Sequence, residues 1–126
     1  MLLRILSALF LLGSTIASAT YTDLAKAAVE RITQGVRYDP TYAKIPYPMG
    51  DVPADRGVCT DVGIRSYRAL GIDLQELVHK DMKAHFDKYP KLWRLKGTDT
   101  NIDHRRVPNL RVFFKRHGTS LKVTSE

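Results

Sequence analysis

The chain has 126 residues, 44% of them hydrophobic and 26% charged, with a formal charge of +7 and one cysteine. That length holds one small domain and not two, with a single modest core. One cysteine excludes an internal disulfide framework, the usual support of small exported domains. The basic balance favours anionic partners such as nucleic acid, acidic polymers or lipid headgroups. Its cations are scattered, however, with short clusters only at Arg105-Arg106 and Lys115-Arg116. They read as a well-solvated surface, and no nucleic-acid partner is expected.

The first stretch, MLLRILSALFLLGSTIASA, has the layout of a cleavable secretory signal. Arg4 precedes an apolar run from Ile5 to Leu12, and Ala17-Ser18-Ala19 supplies the small residues of a cleavage site. A bilayer span needs about 20 apolar residues, more than this run supplies. Residues 1–19 are therefore predicted to be a signal peptide, and 20–126 one exported domain, periplasmic or secreted. No membrane span is expected after cleavage.

A helix is predicted from Asp23 to Gln34, capped by Thr22, with Leu24, Ala28 and Ile32 on its inner face and Gly35 ending it. The following VRYDPTYAKIPYPMGDVPADRG carries Pro40, Pro46, Pro48 and Pro53, which forbid a continuous helix or a central strand. Its tyrosines and Ile45 suit an ordered loop over the core, and ordered loops of this length tend to be functional. A second helix is predicted from Val58 to Leu70, with Val62, Ser66, Ala69 and Leu70 inward. A third starts at Asp73, with Glu76 completing a capping-box-like pair. Leu74, Leu77, Val78, Met82, His85 and Tyr89 form its apolar stripe, and Pro90 ends it. A fourth runs from Pro108 to His117 and buries Leu110, Phe113 and Phe114. The tail SLKVTSE alternates apolar and polar residues, as one half-buried strand does.

The chemistry centres on GVCTDV. A cysteine nucleophile works as the thiolate, a form favoured at the positive end of a helix. Cys59 falls at such an end whether Asp55 or Thr60 caps it. The competing reading is a small buried hydrophobe, the common fate of a free cysteine. Asp61 suits a helix start but opposes a nearby thiolate, and Arg56 and Arg65 are placed to offset it. A thiol also needs a base within hydrogen-bond reach. His79 and His85 face different directions on one helix, His85 reads as a core residue, and His117 sits at a helix C-terminus. His104 is the best of the four, in the polar loop GTDTNIDHRRVPN. Asp99, Asn101 and Asp103 there have the odd spacing of a calcium loop. The glycine and bidentate glutamate such a loop needs are replaced by His104 and Leu110, so no metal or other cofactor is expected.

The blocks YPMGDVPADRGVCTDVGIRSYRALGIDLQELVHKDM and DTNIDHRRVPNL resemble a family of exported bacterial proteins known as domain of unknown function 1287. That family is grouped with NlpC-like and papain-like cysteine peptidases. The likeness runs from about Ala25 to Glu126. It implies the mainly α, N-terminal helical half of an α+β papain-like fold, with at most one terminal strand. It makes Cys59 the nucleophile at the head of the central helix. It also implies a following sheet that carries a catalytic histidine, which this chain would lack, leaving it incomplete. His104 matches the family's Asn-Ile-Asp-His-Arg-Arg block and supplies the base or, with Asp61, Asp103 and Arg105, shapes the site. The expected function is a cysteine hydrolase acting on peptide or amide bonds of the cell wall. The alternative is a basic, non-catalytic module for an anionic envelope polymer, resting on the net charge and the arginines beside His104.

Overall fold

The computed structural model describes residues 20–123. The expected signal peptide and the last residues of the expected terminal strand lie outside them. Four helices carry the fold: α1 (Tyr21–Glu30), α2 (Cys59–Ala69), α3 (Leu74–Ala84) and α4 (Val107–His117). Two short strands, β1 (Arg37–Tyr38) and β2 (Arg56–Gly57), pair in parallel, with Arg37 opposite Arg56 and Tyr38 opposite Gly57. The described chain is thus mainly helical, as expected.

Three of these helices begin where a side chain answers a backbone amide, and α4 begins without one. Thr20, not Thr22, caps α1, and its hydroxyl and the Asp23 carboxylate form a reciprocal capping box. The expected continuous helix to Gln34 instead tightens into a 3-10 turn, Arg31–Gln34, closed by Gly35 at φ 60°. Asp73 caps α3 by accepting the Gln75 amide, whereas Glu76 pairs with Lys80 one turn on. The helix stops at Ala84, and a 3-10 turn, Phe86–Lys88, precedes Pro90. α4 has its proline in the first turn and Gly118 after its end.

Ile64, Leu74, Val78 and Phe113 form the apolar core, with Tyr67 and Leu110 packed against it. α1 lies on α2, while α3 and α4 meet each other and a central 3-10 turn, Asp103–Arg105. Among the described residues, eight buried hydrophobic ones are accompanied by ten buried polar or charged ones, including Asp61, Arg65, Gln75, Asp103, His104, Arg105 and Asn109. That ratio explains where the expected inner faces fail. On α2, Val62 and Ala69 are exposed and the buried side holds Thr60, Asp61, Ile64, Arg65 and Ser66. A hydrophobicity stripe points the wrong way when paired charges occupy the interior. Ile32, Leu77, His85 and Phe114 are likewise exposed, and Ala27 is the buried residue of α1.

The tail does not form the expected strand within the described residues. Ser120–Val123 carry no regular structure, with Leu121 and Val123 exposed. Alternation becomes a strand only beside a partner, and β1 and β2 pair with each other instead. No described helix is long and apolar enough to cross a membrane.

Candidate active site around Cys59

The stretch leading to Cys59 is held from both sides. On the outside, the Arg37 amide donates to the Asp55 carbonyl (2.9 Å) and the Asp39 amide to that of Gly57 (2.9 Å). From beneath, the Arg65 guanidinium grips the Asp51 carboxylate at 2.9 and 3.2 Å and reaches the carbonyls of Val52, Pro53 and Arg56. One buried cation therefore organises the whole turn from residue 51 to 56. Its five donors and planar fork are what lysine lacks.

Past that turn the chain enters α2 at Cys59, with Val58 as the cap residue. Neither Asp55 nor Thr60 caps the helix. The Asp55 side chain lies outside beside Arg56, and the Thr60 hydroxyl donates across the fold to the Arg105 carbonyl (2.9 Å). Asp61 does the work instead, its carboxylate reaching back to the Val58 amide (2.7 Å). Gly57 makes this possible: a Cβ there would lie 2.7 Å from Asp61 Oδ2. Cys59 is exposed and free, and its sulfur makes no hydrogen bond among the described residues.

Asp61 is not the open negative charge that the sequence suggested. It is 2% exposed, and Arg105 Nε and Nη2 hold its two oxygens at 3.0 and 2.9 Å. Burial opposes its ionisation, but the Arg105 fork and the Val58 amide overcome that and keep its pKa below the ordinary carboxylate value. The compensating cation is thus Arg105, 44 residues away in sequence. Of the two expected ones, Arg65 acts weakly and at a distance, and Arg56 lies with Asp39 and Asp55.

His104 is 2% exposed and makes no hydrogen bond to Cys59. Burial, reinforced by Arg105 and Arg68, pulls its pKa down to about 4, so the ring is neutral near pH 7. Its Nδ1 has no partner. Asp103, 1% exposed, is pushed the other way by burial, up to about 6. One oxygen accepts the Asp99 amide and the other has no partner. The two titrations oppose each other. Folded Asp103 holds its proton to about 6 where the unfolded chain loses it near 3.8, so its contribution to stability falls as pH rises through that window. Folded His104 stays neutral to about 4 where the unfolded chain binds a proton below 6.5, so its contribution falls as pH drops through that window. Asp103→Asn should remove the first slope and uncover the second. Urea titrations from pH 4 to 6.5 should show the variant gaining roughly 3 kcal/mol relative to its own acid value. A pH dependence equal to that of the unmodified protein would refute the opposition.

The polar loop before His104 is spent on holding the proline-rich segment. Tyr42 donates to Asp99 (2.9 Å), Asn101 accepts the Ile45 amide (2.9 Å) and its own amide donates to Tyr42 (2.9 Å). Gln75, which the sequence did not single out, binds this region to α3. It accepts the Gly50 amide (2.8 Å) and donates to the carbonyls of Pro46 (2.9 Å) and Thr100 (3.0 Å). Gly50 has to be glycine, because a Cβ would run into the Pro46 carbonyl oxygen. Only a glutamine at the start of an otherwise apolar helix face hinted at such a role.

Of the five singled-out residues, Cys59 alone is exposed; Asp61, Asp103, His104 and Arg105 are buried, and Asp61 and Arg105 are tied to Val58 and Thr60 on either side of the cysteine. The turn that leads to Cys59 is therefore tied on both sides, and the thiol is open to solvent. An uncharacterised protein of Escherichia coli (strain K12), YijF, is 52% identical over 98 residues, covering 78% of this chain. The chain spans about half the length of that curated relative, 48% of it. No solved structure matches. The profile of the family described as domain of unknown function (DUF1287) matches residues 25–126, from α1 through the tail, and the chain belongs to that family.

Proposed function

We propose that Cys59 is the nucleophile of an exported NlpC-like cysteine hydrolase that cleaves peptide or amide bonds of the cell wall. The observation that carries this reading is the exposed thiol at the first position of α2, with the Asp61 carboxylate two residues on neutralised by Arg105. A thiol kept for packing would be buried, as free cysteines commonly are. In the reaction the Cys59 sulfur, giving its proton to a base, attacks the carbonyl carbon. The amine leaves with a proton, and water then hydrolyses the thioester and restores the thiol. His104, sealed and unlinked to the sulfur, is a positioning residue in this scheme. The base comes from the sheet that the resemblance to NlpC-like peptidases implies.

The same geometry weakens the alternative of a basic binding module centred on the His104 loop. Arg105 is committed to Asp61, and Arg106 lies over the Trp93 ring at 4.0 Å. Two measurements test the hydrolase reading. Iodoacetamide should modify Cys59 in the folded gene product, and Cys59→Ser should lower its cleavage of cell-wall peptides by about a thousandfold or more. A thiol inert until the protein is unfolded, or cleavage unchanged in the variant, sinks the mechanism.

A further inference from the structure

We propose that the turn Leu92–Leu95 is a docking element for a lipid surface bearing anionic phosphate headgroups. The argument starts from its backbone. The Leu95 amide closes the turn on the Leu92 carbonyl (3.3 Å), and the two central residues, Trp93 and Arg94, both have positive φ, 58° and 55°. A turn with both central residues in that region is ordinarily filled by Asn-Gly, because side chains with a Cβ are strained there. A tryptophan and an arginine are poor choices for forming this turn. Such strain persists where the side chains it presents serve a purpose.

What the turn presents is specific. Leu92 and Trp93 are 46% and 48% exposed, adjacent, and flanked by the exposed cations Arg94 and Lys96. Neither cation forms an ion pair among the described residues. Lys91 is used locally, over the Phe86 ring at 3.4 Å, and Arg106 lies over the Trp93 ring. From Pro90 to Thr98 there is no acidic residue. The nearest carboxylates in sequence are occupied: Asp87 with Lys88, Asp99 with Tyr42, and Asp103 buried. A soluble polyanion would be met by the cations alone. Paired outward Leu and Trp beside them match the boundary between headgroups and acyl chains, where tryptophan concentrates and Lys and Arg answer anionic lipid.

Trp93 is the only tryptophan in the chain, so its emission reports this turn alone. Adding vesicles of mixed phosphatidylglycerol and phosphatidylcholine should shift the emission to the blue, with quenching by brominated acyl chains. Pure phosphatidylcholine should do much less. Reversing both free cations, Arg94→Glu with Lys96→Glu, should weaken partitioning by about twentyfold or more. The pair Trp93→Asn and Arg94→Gly, which suits the turn better, should abolish co-sedimentation with vesicles without lowering Tm. No blue shift with the anionic vesicles would overturn the proposal. So would an equal shift with soluble polyphosphate, which would assign the site to a polymer. Emission already blue and concentration-dependent without lipid would give the surface to a second copy of the chain. Vesicle binding retained by the Asn-Gly variant, or a lowered Tm, would show that Trp93 serves the fold instead.

Discussion

Arg105→Met is expected to destabilise the protein by about 3–5 kcal/mol, the range for breaking a buried ion pair by removing one partner. Both side chains are nearly inaccessible, at 5% and 3% exposure. Without the guanidinium, the Asp61 carboxylate remains buried with only the Val58 amide and distant Arg65 to hold its charge. Its pKa should then rise, and the deficit should shrink as the solution is acidified and the carboxyl takes up a proton. A domain of this size has about 5–15 kcal/mol to lose, so the change is a large part of the total. Urea unfolding measures it directly. Asp61→Leu combined with Arg105→Met should recover part of the loss, because replacing both charges by apolar groups removes the stranded carboxylate. A single variant within 1 kcal/mol of the original, as an exposed pair would give, would show the pair to be solvated. The consequence reaches the candidate site, since the same carboxylate holds the amide immediately before Cys59.

The second large effect is expected at Gln75. Gln75→Leu keeps the volume roughly similar but leaves the Gly50 amide and the carbonyls of Pro46 and Thr100 without their partner. A fully buried polar group so stranded costs about 1–3 kcal/mol; the Gly50 contact is buried and the two carbonyl contacts are part-buried, so a total of about 2–4 kcal/mol follows. Unlike the Arg105 change, this one should act first on the proline-rich segment. Asp73, which accepts the Met49 amide (2.7 Å), remains as its other tie to the start of α3. Native-state trypsin cleavage after the exposed Lys44 should therefore accelerate more than the fall in global stability accounts for. Equal acceleration at every site would mean that the segment opens only with the whole fold.

Much of this architecture is readable along the chain because its causes are local. Capping residues, prolines and glycines act within a few positions, so four helices and the irregular segment after Gly35 follow from neighbours alone. The errors share one cause as well. Apolarity alone puts Val62, Leu77 and Phe114 in the interior, yet the described core accepts Asp61, Arg65, Gln75 and His104 in their place. A charge is cheap to bury only when its partner is already there. The partners of Asp61 and Gln75 stand 44 and 25 to 29 residues away. No periodicity within a helix contains that information. His104 shows the same limit: its loop reads as charged and solvated, but the fold closes over it.

The order of residues alone established that four helices form, with a lone thiol at the head of one of them, and the family to which the chain belongs, since each rests on types and spacings within short segments. Folding in three dimensions settled which charges are hidden, that Arg105 neutralises Asp61, and that Cys59 faces water while His104 does not. Those outcomes depend on pairings between distant segments, whose energies exist only once water has been excluded from between them.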